Sequence, residues 1–227
     1  MQLRDRIDLT SLCSMLTFGI IECGARFKHR ERTMAYPTTY TSAVAIPLPS
    51  EQTVQQMFGK SYDPERTLNV LKMFAGTEDL CEATMGIVKA MFAAKGIDPK
   101  IREMIILRAA KVLNAPYEAQ ANVVMAKNAG LSAAEIDAAA TDGPVSGIKP
   151  EYILVCKATD ELSKSGTLRD ETVRELLDKY GETISRKIVL MIGWFNMLSL
   201  FLNGCRVPLE TTDKVGTRTS PLENRTP

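Results

Sequence analysis

Apolar residues recur at three- and four-residue intervals over most of the chain, and this period predicts helices at 64–75, 78–94, 99–113, 116–128, 133–140, 150–164, 169–180 and 183–203. The helix ends are marked in the sequence. Pro99, Pro116 and Pro150 suit first turns, where the missing N–H has no partner to lose. Ser132 and Glu135 have the spacing of a capping box, and Gly130, Gly166, Gly181 and Gly204 follow expected C-termini. The longest strand candidate is the short stretch 42–47, so the fold class is all-α, a bundle of about six to eight helices. A body of about 150 residues buries roughly two thirds of its unfolded surface and can fold alone. The last helix, from Ile188 to Leu202, is apolar nearly all round, which places it at the centre of the core or partly at a subunit interface.

Residues 99–130 combine this pattern with polar groups. Ile101, Ile105, Ile106, Ala109 and Leu113 form one buried face, and Glu103 sits beside it. Asn114, Ala115 and Pro116 break the helix, and a second one carries Tyr117, Glu118 and Asn122. Helices joined so tightly pack antiparallel, which brings Glu103 towards Glu118 and Asn122. Each residue has a plainer role too. Glu118 lies in a first turn, where the helix dipole favours a carboxylate by about 0.3 to 1 kcal/mol. Glu103 has Lys100, Arg102 and Lys111 nearby and suits an exposed ion pair. Tyr117 suits a core aromatic, and Asn122 sits among Ala119, Ala121, Val123 and Val124, where an amide needs partners. Arg108 is off the Glu103 stripe and is either solvated or a substrate clamp. Trp194 and Asn196 lie on the apolar last helix, Trp194 as core and Asn196 as a polar group able to line the same cavity. Phe74 is core or cavity wall.

Charge changes the picture little. With 28 basic and 27 acidic residues there is no field for nucleic acid or an anionic membrane, so neither is expected as a partner. Cys13, Cys23, Cys81, Cys156 and Cys205 are odd in number, widely spaced and without metal-ligand spacing. They indicate a reducing, cytoplasmic setting and neither a disulfide framework nor a zinc site. The head carries an apolar run at 9–21 behind Arg4 and Arg6. Its polar interruptions, the absence of a cleavage site before the basic cluster 26–32, and its length argue against a signal peptide or membrane span. Residues 1–44 are therefore an N-terminal extension, partly disordered or docking on the body, or lie in part upstream of a start near Met34. The polar segment 211–227 is expected to be disordered or draped on a neighbouring subunit.

Four segments, 102–108, 114–118, 128–136 and 192–198 running to 207–210, resemble the carboxymuconolactone decarboxylases and their alkylhydroperoxidase D relatives in order and spacing, over about residues 45 to 210. The resemblance implies an alkylhydroperoxidase D-like bundle, a small-molecule substrate, no cofactor, and a homotrimer or homohexamer. Glu103 matches the relay glutamate of the peroxidase branch. The two cysteine positions of that branch hold Ala115 and Glu118, and neither can replace a thiolate, so thiol peroxidase chemistry is excluded there. The decarboxylase branch has Tyr-Glu, as in Tyr117-Glu118, followed by a histidine taken as catalytic; Asn122 stands in its place, and His29, the only histidine, lies in the head.

Two glutamates in an apolar pocket resist joint ionisation, so one stays protonated near neutral pH and serves as a general acid without histidine. The expected function is a cofactor-independent lyase of the decarboxylase type, acting on a small unsaturated or aromatic acid or lactone. Glu118 transfers the proton, Glu103 is its electrostatic partner, and Tyr117, Asn122, Asn196, Trp194, Arg108 and Phe74 contact substrate. The alternatives are a cofactor-free isomerase, hydratase or cyclase in the same pocket, and a non-catalytic oligomer that binds a ligand or acts as a scaffold. Two carboxylates without histidine make a poor transition-metal site, so no metal is expected.

Overall fold

The computed structural model describes residues 35–40 and 42–223. His29, Cys13, Cys23 and the apolar run 9–21 lie outside these residues, as does most of the expected N-terminal extension. The described chain is helical: α1 Glu51–Phe58, α2 Asn69–Ala75, α3 Cys81–Phe92, α4 Pro99–Val112, α5 Pro116–Asn128, α6 Ala133–Ala139, α7 Pro150–Ser165 and α8 Asp170–Cys205, with short 3₁₀ turns at Gly59–Ser61 and Glu78–Leu80. No strand occurs among the described residues. At 42–47 the chain is extended but makes a single backbone bond to the body, from Ile46 N to Cys205 O at 3.0 Å.

Helix α4 is the central rod, packed by α5, α6, α7 and α8. All ten residues from Ile101 to Ala110 are therefore buried, polar ones included, in place of the one-sided burial expected from its pattern. Asp98 caps its start by accepting from Lys100 N at 2.8 Å, ahead of Pro99. Its end is a Schellman turn: Asn114 takes a positive φ of 53°, and Ala115 N donates to Ala110 O at 2.8 Å. This turn sets the α4–α5 hairpin. Gly130 closes α5 in the same way, with φ 90° and a 3.0 Å bond from Leu131 N to Ala126 O.

Three helix boundaries differ from expectation. Helix α1, marked only by its Ser50 cap, buries a single residue, Val54, and leaves little apolar periodicity to read. Helix α2 starts at Asn69 and not at Pro64, because Asp63 organises a turn over 63–67 and the first free N–H groups of α2 are met from afar. Glu210 accepts from Asn69 N at 2.6 Å, and the Tyr117 hydroxyl accepts from Val70 N at 3.0 Å. The last two expected helices run on as α8, which bends at Gly181 (φ 70°, ψ 171°) and ends one residue past Gly204, with Arg206 in the left-handed turn.

Part of α8 is long and apolar enough to cross a bilayer, yet Ile188, Met191, Ile192, Phe195 and Leu202 of it are core. On its other side Val189, Leu190, Met197 and Leu200 are exposed. Residues 211–223, expected to be disordered or to lie on a neighbour, instead form a strap on their own chain. Val215 and Arg218 are buried, and Asn128 Nδ2 donates to Gly216 O and Arg218 O at 2.8 and 2.9 Å. A polar composition concealed this because the strap is held by side-chain bonds to its carbonyls, which leave no apolar period.

Candidate functional site

The start of α5, the middle of α8 and the end of α2 enclose a cavity of about 40 Å³. Aromatic rings make most of its wall: Phe74, Phe92, Tyr117, Trp194 and Phe195. Phe74 stacks on Phe201 with centroids 5.3 Å apart, and Phe92 meets Phe195 edge to face at 6.2 Å. Among the described residues the only carboxyl group lining the cavity is Glu118, which is 1 % exposed.

Helix α5 delivers Glu118 in its first turn, and α8 supplies its partner. The Ser199 hydroxyl, fully buried on α8, donates to Glu118 Oε2, while Oε1 has no hydrogen-bond partner. Burial pushes the Glu118 carboxyl up to about 8; the Ser199 hydrogen bond opposes this shift, and the charge of Glu103 adds to it. Ser199 has no counterpart in the sequence expectations. A serine in an otherwise apolar helical run was the available signal, since a buried hydroxyl needs a partner.

Glu103 lies behind the cavity wall and does not line it. It is fully buried, and Arg102 pairs with its Oε1 through Nε at 3.1 Å and Nη2 at 3.0 Å, leaving Oε2 without a partner. Burial raises this carboxyl to about 7 against the lowering effect of Arg102. The exposed ion pair expected for Glu103 is thus a buried one, because α4 is enclosed on all sides. Arg102 also stacks over Phe92 at 4.4 Å and donates to Thr219 O at 3.0 Å, linking the glutamate to the strap.

The other expected substrate contacts divide. The rings of Phe74, Tyr117 and Trp194 line the cavity, as does Asn122, whose Nδ2 donates back to Glu118 O at 2.8 Å. The Trp194 Nε1 is buried without an acceptor. The Tyr117 hydroxyl is committed elsewhere: it donates to Glu210 Oε1 while accepting from Val70 N, clasping α5 to α2 and to the segment after α8. Lys214 completes that knot at 3.0 Å from Glu210 Oε2.

Arg108 and Asn196 are not in the site. Arg108 is 1 % exposed and uses all five N–H donors on structure: Nε and Nη2 on Asp160 at 2.6 and 2.7 Å, and Nη1 and Nη2 on the carbonyls of Ala139, Thr141 and Gly143. It pins the α6–α7 connection to α4 and has no donor left for a ligand. Asn196 points to α7, where its Oδ1 accepts from Ser163 at 2.8 Å, because its place on α8 is off the Trp194 face.

Among the described residues no cysteine lines the cavity, and Cys81, Cys156 and Cys205 are buried. Burial raises all three thiols, Cys156 to about 12, which disfavours thiolate. Among the described residues no group of three or more metal-ligating side chains comes together.

Residues 78–149, from the 3₁₀ turn before α3 to the connection after α6, match the model of the carboxymuconolactone decarboxylase family. No curated protein and no solved structure matches the chain. The matched segment contains Arg102, Glu103, Tyr117, Glu118 and Asn122, whereas Phe74, Trp194, Ser199 and the strap come from outside it.

Proposed function

With residues 78–149 forming a carboxymuconolactone decarboxylase family segment within an all-α frame, we propose that the protein is a cofactor-independent lyase acting on a small unsaturated or aromatic acid or lactone. The observation that carries this reading is Glu118: the one carboxyl among the described residues that lines an aromatic cavity, held by Ser199 through one oxygen and free at the other. Because Oε2 accepts from Ser199, the proton of the neutral acid sits on Oε1. Decarboxylation then needs three things from the protein: a held substrate, exclusion of water and one proton. The substrate carboxylate leaves as carbon dioxide, its bonding pair enters the conjugated system, and Glu118 Oε1 protonates the carbon that receives it. Burial keeps Glu118 protonated, and Glu103, paired with Arg102 behind the wall, adds to that effect. Asn122 and Trp194 Nε1 supply hydrogen bonds to the substrate, and the aromatic rings supply a flat slot.

The size of the cavity favours a second reading. At about 40 Å³ it has room for roughly three waters, so a non-catalytic protein with a vestigial pocket also fits. Carbon dioxide release from a panel of unsaturated lactone acids and aromatic acids separates the two. Turnover by the full chain, abolished in Glu118→Gln with the fold retained, supports the lyase; turnover that survives this change refutes the role of Glu118. Release of an isomer or a hydrated product without carbon dioxide assigns the same pocket to isomerase or hydratase chemistry.

The exposed side of α8 is assigned to a second copy of the chain. Leu190, Met197 and Leu200 recur at heptad spacing with Gly193 between them, where added bulk meets open space, so another helix can approach closely. A homotrimer or homohexamer built on this face keeps these side chains from water.

A further inference from the structure

A cleft of about 840 Å³ adjoins the Glu118 cavity, and Leu71 and Pro221 belong to the walls of both. Pockets that take organic ligands measure about 300 to 1,000 Å³, so the acid lies on one side of this partition and the room on the other. The two halves of the partition differ in how they are held. Leu71 is part of α2 and buried in the core. Pro221 belongs to the tip of the strap, beyond the buried anchors Val215 and Arg218. The tip's hydrogen bonds are largely its own: Thr219 N donates to Glu223 Oε2 at 2.8 Å, Glu223 N to Ser220 O at 3.2 Å, and Arg218 Nη1 to Pro221 O at 3.2 Å. The body contributes Arg102 Nη2 to Thr219 O at 3.0 Å. Proline has no N–H, so moving Pro221 breaks no backbone donor bond at that residue.

We propose that residues 219–223 are a flap whose displacement joins cavity and cleft into one two-chamber site for an elongated organic acid. Its flat unsaturated head lies among Phe74, Phe92 and Trp194 against Glu118. Its polar end remains in the cleft, which is lined by Lys60, Arg66 and Tyr62 and also by Asp63, Glu82 and Glu223; Arg66 pairs with Asp63 at 4.0 Å, so Lys60 and the Tyr62 hydroxyl are the groups that meet an anionic end. The Tyr62 hydroxyl is buried without a hydrogen-bond partner and is available to that end. Arg102 holds the flap and the Glu103 carboxyl at once, so lifting the flap frees a guanidinium donor beside the carboxyl pair. The assignment of the inward end rests on the proposed role of Glu118; the joining of the chambers does not.

Trp194 is the only tryptophan of the chain and lines the cavity, so its fluorescence reports occupancy. The full chain is titrated with benzoate, which has a head only, and with 5-phenylpentanoate, which has a head, a four-carbon tail and an acid. The longer acid is expected to bind about tenfold more tightly, for burial of about half its tail. Met85→Glu, in the cleft and away from Glu118, should weaken the longer acid about tenfold by repelling its carboxylate and leave benzoate unaffected. Ser61→Phe, at an exposed position of the same cleft, is the second blocker if Met85→Glu melts early. Pro221→Gly should raise the association rate of both acids several-fold. Equal affinity for the two acids, indifference of the longer one to both blockers, or no Trp194 response to either overturns the two-chamber site. Cleft-sensitive binding without turnover of any acid retires the lyase and keeps the flap. Turnover indifferent to both blockers does the reverse.

Discussion

Replacing Glu118 by glutamine removes a titration that the fold has displaced, and the consequence can be read as stability against pH. In the folded chain burial pushes the carboxyl from the ordinary glutamate value of 4.5 to about 8. Between these values the native state keeps a proton that the unfolded chain releases. Stability therefore falls as pH rises, by about 1.4 kcal/mol per unit for one proton. The loss is absent below the unfolded value and complete above the folded one. From pH 5 to pH 8 Glu118 therefore costs the wild type about 3 to 4 kcal/mol. Glu118→Gln is spared this slope but carries a constant penalty of about 1 to 3 kcal/mol, because its amide N–H groups meet an aromatic wall without acceptors. The sign of the difference at any one pH is thus uninformative, and its slope is diagnostic. Urea unfolding of both proteins at five pH values from 5 to 9 should show the variant gaining on the wild type up to about pH 8 and level thereafter. Parallel curves would mean that Glu118 titrates as an ordinary glutamate, and the neutral acid on which the chemistry depends would be gone. In the wild type, turnover should fall as pH rises through about 8, when the donor loses its proton.

Arg108→Ala should cost about 3 to 5 kcal/mol in urea unfolding, because it leaves three carbonyls without their donor and Asp160 with only Lys164 at 3.6 Å; Arg108→Lys should recover only part of this, lacking the planar fork. A loss under 1 kcal/mol in Arg108→Ala would show that the clamp is not structural. Tyr117→Phe should lower stability by about 1 to 3 kcal/mol by leaving Val70 N and Glu210 short of a partner, measured as a shift of the thermal midpoint. The proposed homo-oligomer predicts that Leu190→Glu with Leu200→Glu lowers the sedimentation coefficient to that of a single chain without lowering helix content; an unchanged sedimentation coefficient would assign that face elsewhere.

The order of helices in this chain is a local property. Pro99, Pro116 and Pro150 mark starts, Gly130 and Gly166 mark ends, and the apolar period between them is carried by the sequence itself, so the all-α class and the α4–α5 hairpin are legible in the sequence alone. Glu118 was legible in part, since the Tyr117-Glu118 pair sits at the start of a helix whose partner carries Glu103. What local pattern lacks is the environment on every side. Helix α4 reads as one-sided, yet α5, α6, α7 and α8 surround it, which turned Glu103 and Arg108 from surface charges into buried ones with opposite fates. The start of α2 depends on Glu210, 141 residues away, and Glu118 owes its raised pKa to burial and its one side-chain partner to Ser199, 81 residues away. Propensity and periodicity are sums over neighbours in the chain, whereas desolvation and hydrogen bonding are sums over neighbours in space. The first decided which helices form; the second decided which carboxyl faces the cavity, which arginine is spent on structure, and that Pro221 of a polar tail lines the cavity wall.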